Sequence, residues 1–140
     1  MRAKESLRAS LGALALKVKG LEEEVQRAAR NGVSKASDHL REASARRAPV
    51  DEGNLESSIQ SGLDEDDEEI RGWVAVPMGS PAADYALAMH EGDYELGERS
   101  RAKQAGQSET VGRKFIERAM GEEREEVARI MADELGKAIP

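Results

Sequence analysis

Two histidines, His39 and His90, are the side chains of this 140-residue chain best suited to acid–base or metal chemistry. His39 lies in a stretch with helical periodicity and has no second ligand at a useful spacing, so we interpret it as an exposed histidine on a helix. His90 is followed by the carboxylates Glu91 and Asp93, but the zinc-protease motif needs a second histidine four residues on, and Tyr94 stands there. No serine or lysine has an obvious base partner. We expect no catalytic residue, metal or cofactor, and a small metal-dependent hydrolase using His90, Glu91 and Asp93 is an alternative.

A run of six carboxylates is the other group that could do chemistry, and it comprises Asp64, Glu65, Asp66, Asp67, Glu68 and Glu69. The run lacks the glycine at the sixth loop position and the spaced glutamate of an EF-hand, so it does not match a calcium loop. Paired carboxylates can hydrolyse glycosides, yet a thin core offers little to raise the pKa of one of them selectively. We favour a solvated tip between two strands.

Alanine is the most frequent of the apolar residues available to position these groups. Of the 54 apolar residues 21 are alanine, whereas Leu, Ile, Val and Phe together number 25. So few large side chains, combined with a high net charge, place the composition near that of disordered proteins. Periodicity in two long helical segments argues against wholesale disorder. We expect a single domain over 1–140 with a thin core that takes part of its stability from partners.

Several classes of protein are excluded by what the sequence lacks. There is no cysteine, which excludes disulfide scaffolds, zinc–thiolate sites, iron–sulfur clusters and thiol catalysis. No stretch approaches the roughly 18 apolar residues that span a bilayer. Charged residues at 2, 4, 5 and 8 interrupt the segment where a signal peptide would be apolar. We therefore expect a soluble protein, intracellular at synthesis, with no membrane partner.

The net charge of −7 conceals a strong asymmetry along the chain. Residues 1–50 sum to +5, residues 51–98 to −13 and residues 99–140 to +1. The acidic middle would repel a phosphate backbone, which argues against duplex binding by that segment. A nucleic-acid-binding accessory that uses the basic N-terminal third is an alternative, which the acidic middle and the few aromatic residues available for stacking disfavour.

Hydrophobic periodicity predicts a strand and then a long helix in the first third. Apolar residues at 14, 16 and 18 alternate with other residues, which is typical of a half-exposed strand. From about 21 to 47, apolar and small residues recur at three- and four-residue steps, which predicts one amphipathic helix. Asn31-Gly32 could break or kink this helix, and Pro49 ends it. We expect residues 1–13 to be a flexible tail.

The remainder of the chain is predicted to contain a hairpin and two further helices. Residues 48–55 form an ordered turn, and the alternation of Ile70, Gly72, Val74 and Val76 predicts a strand after the acidic run. Together with the residues before the run, this strand forms an antiparallel hairpin with an acidic tip. The later elements are a short helix over 82–91 with Tyr85, Ala88 and Met89 on one face, a mobile arm without periodicity over 92–112, and a C-terminal helix over about 114–138.

Three blocks of residues now point to a family. The first reads Ala45-x-x-Ala48-Pro49-Val50-Asp51-x-Gly53-Asn54-Leu55-x-x-Ser58-Ile59, the second Tyr85-Ala86-x-x-x-His90-Glu91-Gly92, and the third Gly112-x-x-Phe115-Ile116-x-x-Ala119. With the opening Leu16-x-Val18-x-Gly20-Leu21, they span about 16 to 120. In type and order they resemble the head–tail joining, or tail-completion, proteins in the neck of long-tailed bacteriophages.

The resemblance implies both a fold and a role. The fold would be α+β, a small antiparallel sheet packed with a long N-terminal helix and a C-terminal helix. The role would be that of a virion structural protein, made in the host cytoplasm, which forms a hexameric or dodecameric ring at the neck or the head-proximal end of the tail. Connector or stopper proteins and tail-tube proteins would be its partners, and the genome DNA would pass through without specific binding.

Two further expectations belong to this resemblance. Relatives of this family are structural, so no catalytic residues are carried over. A tail terminator that caps the tail tube is an alternative within the same assembly. If the acidic tip 64–69 lined the central channel, it would repel the DNA backbone and let the genome pass.

Overall fold

The chain folds as α+β, as the sequence predicts: a small antiparallel sheet packs with a long N-terminal helix and with C-terminal helices. The computed structural model describes residues 7–10, 15–50, 54–77, 79–80 and 82–139. Its strands are β1 (Leu7–Ser10), β2 (Leu16–Lys17), β3 (Gln60–Glu65) and β4 (Glu69–Val76). Its helices are α1 (Glu23–Arg47), α2 (Asn54–Ser58), α3 (Ala83–Glu91), α4 (Glu98–Ala105), α5 (Phe115–Glu122) and α6 (Arg124–Gly136).

The long helix α1 is continuous, as predicted, and Asn31-Gly32 does not break it. Acidic residues in its first turn and basic residues in its last turn match the helix dipole. Gly32 has a packing role, because a Cβ at this position would lie 3.3 Å from the Cα of Met131 on α6. Glycine at position 32 lowers the helix propensity of α1, but it allows α1 and α6 to approach closely.

The sheet is three strand positions wide, with β4 at its centre. β3 pairs antiparallel with one edge of β4, which confirms the predicted hairpin with its acidic tip. β1 and β2 pair with the other edge, from Leu7 opposite Val76 to Lys17 opposite Glu69. The predicted strand at 14–18 is present as β2, while position 14 lies outside the described residues.

Part of the predicted flexible tail is instead in the sheet. Residues 7–10 form β1 and pair with β4, and the rest of 1–13 lies outside the described residues. The reason is that the edge of β4 opposite β3 presents N–H and C=O groups that need partners. A short, charged segment with no clear period can meet that need through its main chain.

The predicted C-terminal helix is divided into α5 and α6 at Glu123, whose φ of −99° and ψ of 13° are not helical. No apolar residue occurs between Met120 and Val127, so nothing there holds a straight helix against the core. The Glu123 carboxylate lies 2.6 Å from His39 Nε2 and 3.2 Å from Arg47 Nη2, both on α1. The bend lets α5 and α6 both pack on α1.

The predicted mobile arm over 92–112 is ordered, and it contains α4. Gln107 donates a hydrogen bond of 2.6 Å to the Arg46 carbonyl, and Ser100 Oγ accepts one of 2.9 Å from the Val50 amide. These bonds link the segment to residues 50 and 61 positions earlier, which local periodicity cannot reveal. None of the helices in the described part of the chain is long and apolar enough to cross a membrane.

Candidate functional site

The described residues of the first family-like block lie at the C-terminal end of α1 and in or next to α2, and most of them are buried. Ala48 and Leu55 have no exposed surface, and Ile59 is 3% exposed. Pro49 and Ser58 are buried and Val50 is half-buried. Of the remaining residues, Asn54 begins α2, whereas Asp51 and Gly53 lie outside the described residues.

The second block lies on α3 and faces the same core. Ala86 is fully buried, His90 is 5% exposed, and Tyr85 packs against the core from a half-buried position. The face predicted for this helix is corrected in one respect, because Ala88 is exposed. Gly92 ends the helix where a Cβ would lie 2.5 Å from the Ala88 carbonyl oxygen, so a larger residue would need the backbone to shift.

The third block brings α5 against the first two. Phe115 and Ala119 are fully buried. Gly112 has a φ of +145°, which favours glycine, and its amide donates a 2.9 Å hydrogen bond to the Arg47 carbonyl at the end of α1. The Lys114 amide donates one of 2.8 Å to the His90 carbonyl. The three blocks thus meet at the C-terminal end of α1, and we call this region the junction.

His90 is part of the junction core. Its ring meets Phe115 edge to face, with centroids 4.9 Å apart. Its Nδ1 lies 2.6 Å from Glu91 Oε2, while Nε2 is buried and has no hydrogen-bond partner. A general base or metal ligand needs an accessible nitrogen, and neither nitrogen of this ring is free and exposed.

The carboxylates beside His90 are engaged elsewhere. Glu91 Oε1 lies 2.7 Å from Lys114 Nζ, and the hydrogen bonds from Lys114 and then His90 lower the pKa of Glu91 to about 2. Asp93 is exposed and faces Arg113, 3.9 Å away. Within the described ranges, no three His, Asp or Glu side chains are grouped so that they could hold a metal ion.

His39 is half-buried and paired, so the interpretation of it as an exposed helical histidine is wrong. Its partner Glu123 also accepts a hydrogen bond from Arg47, which is only 2% exposed. Arg47 further donates 2.8 Å bonds to Glu122 and to the Ala43 carbonyl. The sequence signal for this network was a lone arginine in the apolar stripe of α1, but its carboxylate partners lie 75 and 76 residues later.

Lys103 on α4 completes the junction and was not predicted. Its Nζ donates bonds of 2.6 Å and 2.7 Å to the carbonyls of Ala45 and Ala48, and one of 2.7 Å to Glu56. An ammonium at the C-terminus of a helix satisfies orphan carbonyls and interacts favourably with the helix dipole.

The acidic tip is ordered by its own main chain and partly neutralised. Asp66 accepts hydrogen bonds from the amides of Glu68 and Glu69, which lower the pKa of Asp66. Glu65 lies 3.1 Å from Arg30 Nε, and Glu68 lies 3.7 Å from Lys19. Glu69 pairs with Arg71, and Asp64 is exposed. The tip therefore lies beside the N-terminal half of α1, away from the junction.

A cavity of about 200 Å³ opens at the outer side of the junction. Tyr94, Leu96 and the segment 110–113 line it together with Arg118 on α5. Arg118 Nε and Nη1 donate 2.9 Å hydrogen bonds to the carbonyls of Arg113 and Thr110. Its Nη2 is buried without a partner, and burial lowers the pKa of Arg118.

The junction is therefore a packed meeting point of helices, with polar side chains that join elements and a basic cavity at its outer side. It has no open acid–base pair among the residues described. Comparison of the chain with models of known protein families, with curated protein sequences and with solved structures finds no match.

Proposed function

We propose that the protein is a virion structural protein of long-tailed bacteriophages that joins the head to the tail or completes the tail. It acts as a ring at the neck, and the genome passes through its centre. Its mechanism is binding: one surface contacts the connector or stopper, and the other contacts the tail tube. The observation that supports this proposal is the convergence of the three family-like blocks at the junction.

The chemistry of these blocks also supports a structural role. Leu55, Ala86, Phe115 and Ala119 are fully buried, and the histidine among them has a buried, unpartnered nitrogen. Residues of a catalytic site would instead have polar atoms at positions that a substrate can reach. The residues of these blocks hold helices together.

The thin core supports assembly into a ring. Among the described residues 21 apolar side chains are buried, and nine of these are alanines, which bury little area each. Large apolar side chains also remain at the surface, with Leu87 and Ile139 each 57% exposed. A heterologous contact between identical subunits would bury more apolar surface, and it closes into a ring when the rotation between neighbours allows. We propose a hexamer or a dodecamer.

The charge supports passage of DNA without retention. The chain carries −7 overall and −13 over residues 51–98, so much of its surface repels phosphates. The tip 64–69 has two candidate positions in a ring. At the central axis it would face the DNA, and at a subunit boundary it would face a neighbour.

Electron microscopy of the purified protein, with mass photometry over a range of concentrations, tests the proposal. We expect rings with a central hole wide enough for duplex DNA. A protein that stays monomeric at every concentration, and also in the presence of connector and tail-tube proteins, would contradict it. Addition of the rings to growing tail tubes separates the joining role from that of a terminator, because only a terminator sets the tube length.

The hydrolase alternative has a simple control. His90→Ala should leave the metal content of the purified protein unchanged, since a structural protein holds none at this site. A loss of bound metal in His90→Ala, with the fold intact by circular dichroism, would favour an enzyme.

A further inference from the structure

The cavity at the junction and the acidic tip carry opposite charges at opposite ends of α1. The tip contacts α1 at Arg30. Segment 110–113, which lines the cavity, contacts α1 at Arg47 through the Gly112 amide. At 1.5 Å per residue, these two points of the helix are about 25 Å apart. One subunit therefore presents a cationic cavity at one end and an anionic tip at the other.

The cavity is suited to a carboxylate. Arg118 makes its hydrogen bonds to main-chain carbonyls, so no carboxylate among the described residues is hydrogen-bonded to it, although the charge of Glu122 acts on it from a distance. The Nη2 of Arg118 is buried and unpartnered, which is costly for a charged group, so the guanidinium is only partly satisfied by its own bonds. Arg113 lies at the rim, and its nearest carboxylate is the fully exposed Asp93, 3.9 Å away. Tyr94 and Leu96 supply apolar surface around these cations.

The tip is suited to such a cavity. Asp67 is exposed and makes no hydrogen bond or ion pair with any residue that the structure describes. The carboxylate of its neighbour Glu68 has only a 3.7 Å contact with Lys19, and both of these side chains are largely exposed. The hydrogen bonds from the Glu68 and Glu69 amides to Asp66 hold the tip in one shape, so little ordering is needed on binding.

We propose that the cavity formed by Arg113 and Arg118 receives the acidic tip, Asp67 and Glu68 foremost, of a second copy of this chain. The inference rests on the proposed ring and assigns its subunit contact. Because donor and acceptor surfaces lie at opposite ends of the molecule, the contact is heterologous, and its repetition forms a ring when the rotation between neighbours closes. In this arrangement each tip meets cations, whereas tips gathered at a central axis would repel one another.

Charge reversal on each side of the contact tests the proposal. Arg113→Glu and Asp67→Lys change exposed side chains, and they leave in place the Arg118 bonds that hold segment 110–113. Each variant should raise the concentration at which rings half-dissociate by about tenfold or more, because it places like charges in the contact. The double variant Arg113→Glu/Asp67→Lys should recover to within about threefold of the unmodified protein, since opposite charges again meet.

Mixing the two single variants gives a second readout. In a ring that alternates the two variants, every contact pairs either the original charges or the two reversed ones. The mixture should therefore form rings with an even number of subunits, although each variant alone does not at the same concentration. Added NaCl should dissociate the unmodified rings, because it screens exposed ion pairs.

Arg124→Glu and Glu125→Lys are the matched controls, because they make the same charge changes at exposed positions of α6. One outcome is that rings form while Arg113→Glu and Asp67→Lys affect them no more than the controls do. That result would overturn the proposed contact and leave the proposed ring unaffected. Rings that show the tip in the central hole would overturn it in the same way. A protein that never forms rings, alone or with its partners, would overturn both the contact and the proposed function.

Discussion

At the scale of single residues, polar side chains join elements that the apolar core alone would leave loosely attached. Arg47 links α1 to Glu122 and Glu123, and Lys103 links α4 to the last carbonyls of α1. Because aliphatic side chains are few, such bonds replace part of the packing that a larger core would supply. The position of Arg47 in the apolar stripe of α1 was visible in the sequence, but its partners depend on how distant helices fold back.

Arg47→Met should destabilise the protein by about 2–4 kcal/mol, because it leaves the half-buried Glu123 carboxylate without this partner. Chemical denaturation followed by circular dichroism measures the loss. Arg129→Met on the exposed face of α6 is the control and should cost about 0–1 kcal/mol, although Arg129 also forms ion pairs with Glu126 and Asp133. Equal losses for the two variants would contradict a structural role for the Arg47 network.

Glu91→Gln should change how stability depends on pH. The pKa of Glu91 is lowered from 4.5 to about 2 in the folded protein by Lys114 and His90, so its charged form stabilises the fold. This stabilisation is fully present above about pH 4.5 and is lost as the pH falls through about 2. The melting temperatures of the unmodified protein and Glu91→Gln should therefore differ near neutral pH and converge near pH 2.

The exposed Glu125 supplies the control for this titration. Glu125→Gln should change the melting temperature near neutral pH less than Glu91→Gln does, because Glu125 is exposed and lies outside these contacts. If the difference for Glu91→Gln did not shrink between neutral pH and about pH 2, the contacts of Glu91 with Lys114 and His90 would not contribute to stability.

At the scale of elements, periodicity predicted those helices and strands whose own residues define a buried face. α1 and the hairpin of β3 and β4 were predicted in type and nearly in extent for this reason. α4 and the bend at Glu123 were not predicted, because bonds to α1 from residues far along the chain stabilise them. β1 was missed for the same reason, since it is defined by its pairing with β4.

Gly32 and Gly121 allow a matched test of helix packing. A Cβ on Gly121 would meet nothing within 4 Å, whereas one on Gly32 would lie 3.3 Å from the Cα of Met131. Gly121→Ala should stabilise the protein by about 0.5–1 kcal/mol through helix propensity. Gly32→Ala should be less stable than Gly121→Ala by about 1 kcal/mol or more, because α6 must move away. Equal stabilisation in denaturation experiments would show that α6 does not approach α1 this closely.

At the scale of the whole molecule, one apolar cluster joins the sheet, α1, α3, α5 and α6. It includes Val33, Ile70, Val74 and Phe115, which come from all three thirds of the chain. The three family-like blocks were recognisable in the sequence, but their meeting at the junction was not, because each block has its own local pattern. The cavity was hidden as well, since Arg118 lies on α5 whereas Tyr94, Leu96 and residues 110–112 come from a segment with no periodicity.

Unfolding should therefore be a single transition. Trp73, the one tryptophan of the chain, lies in β4 and reports on the sheet by fluorescence, whereas far-ultraviolet circular dichroism reports mainly on the helices. The two signals should give the same midpoint and the same slope with denaturant. Separate transitions would show that the helices and the sheet are independent units, and they would contradict the predicted single domain.

The pairing of β4 has a consequence for the order of events during synthesis. Its partner β3 precedes it directly, whereas its pairs with β1 and β2, from Leu7–Val76 to Lys17–Glu69, join residues roughly fifty to seventy positions apart. Contacts between distant residues form more slowly than a hairpin. During synthesis β2 can therefore pair only after residues 69–70 have left the ribosome, and β1 only after residues 73–76 have left it.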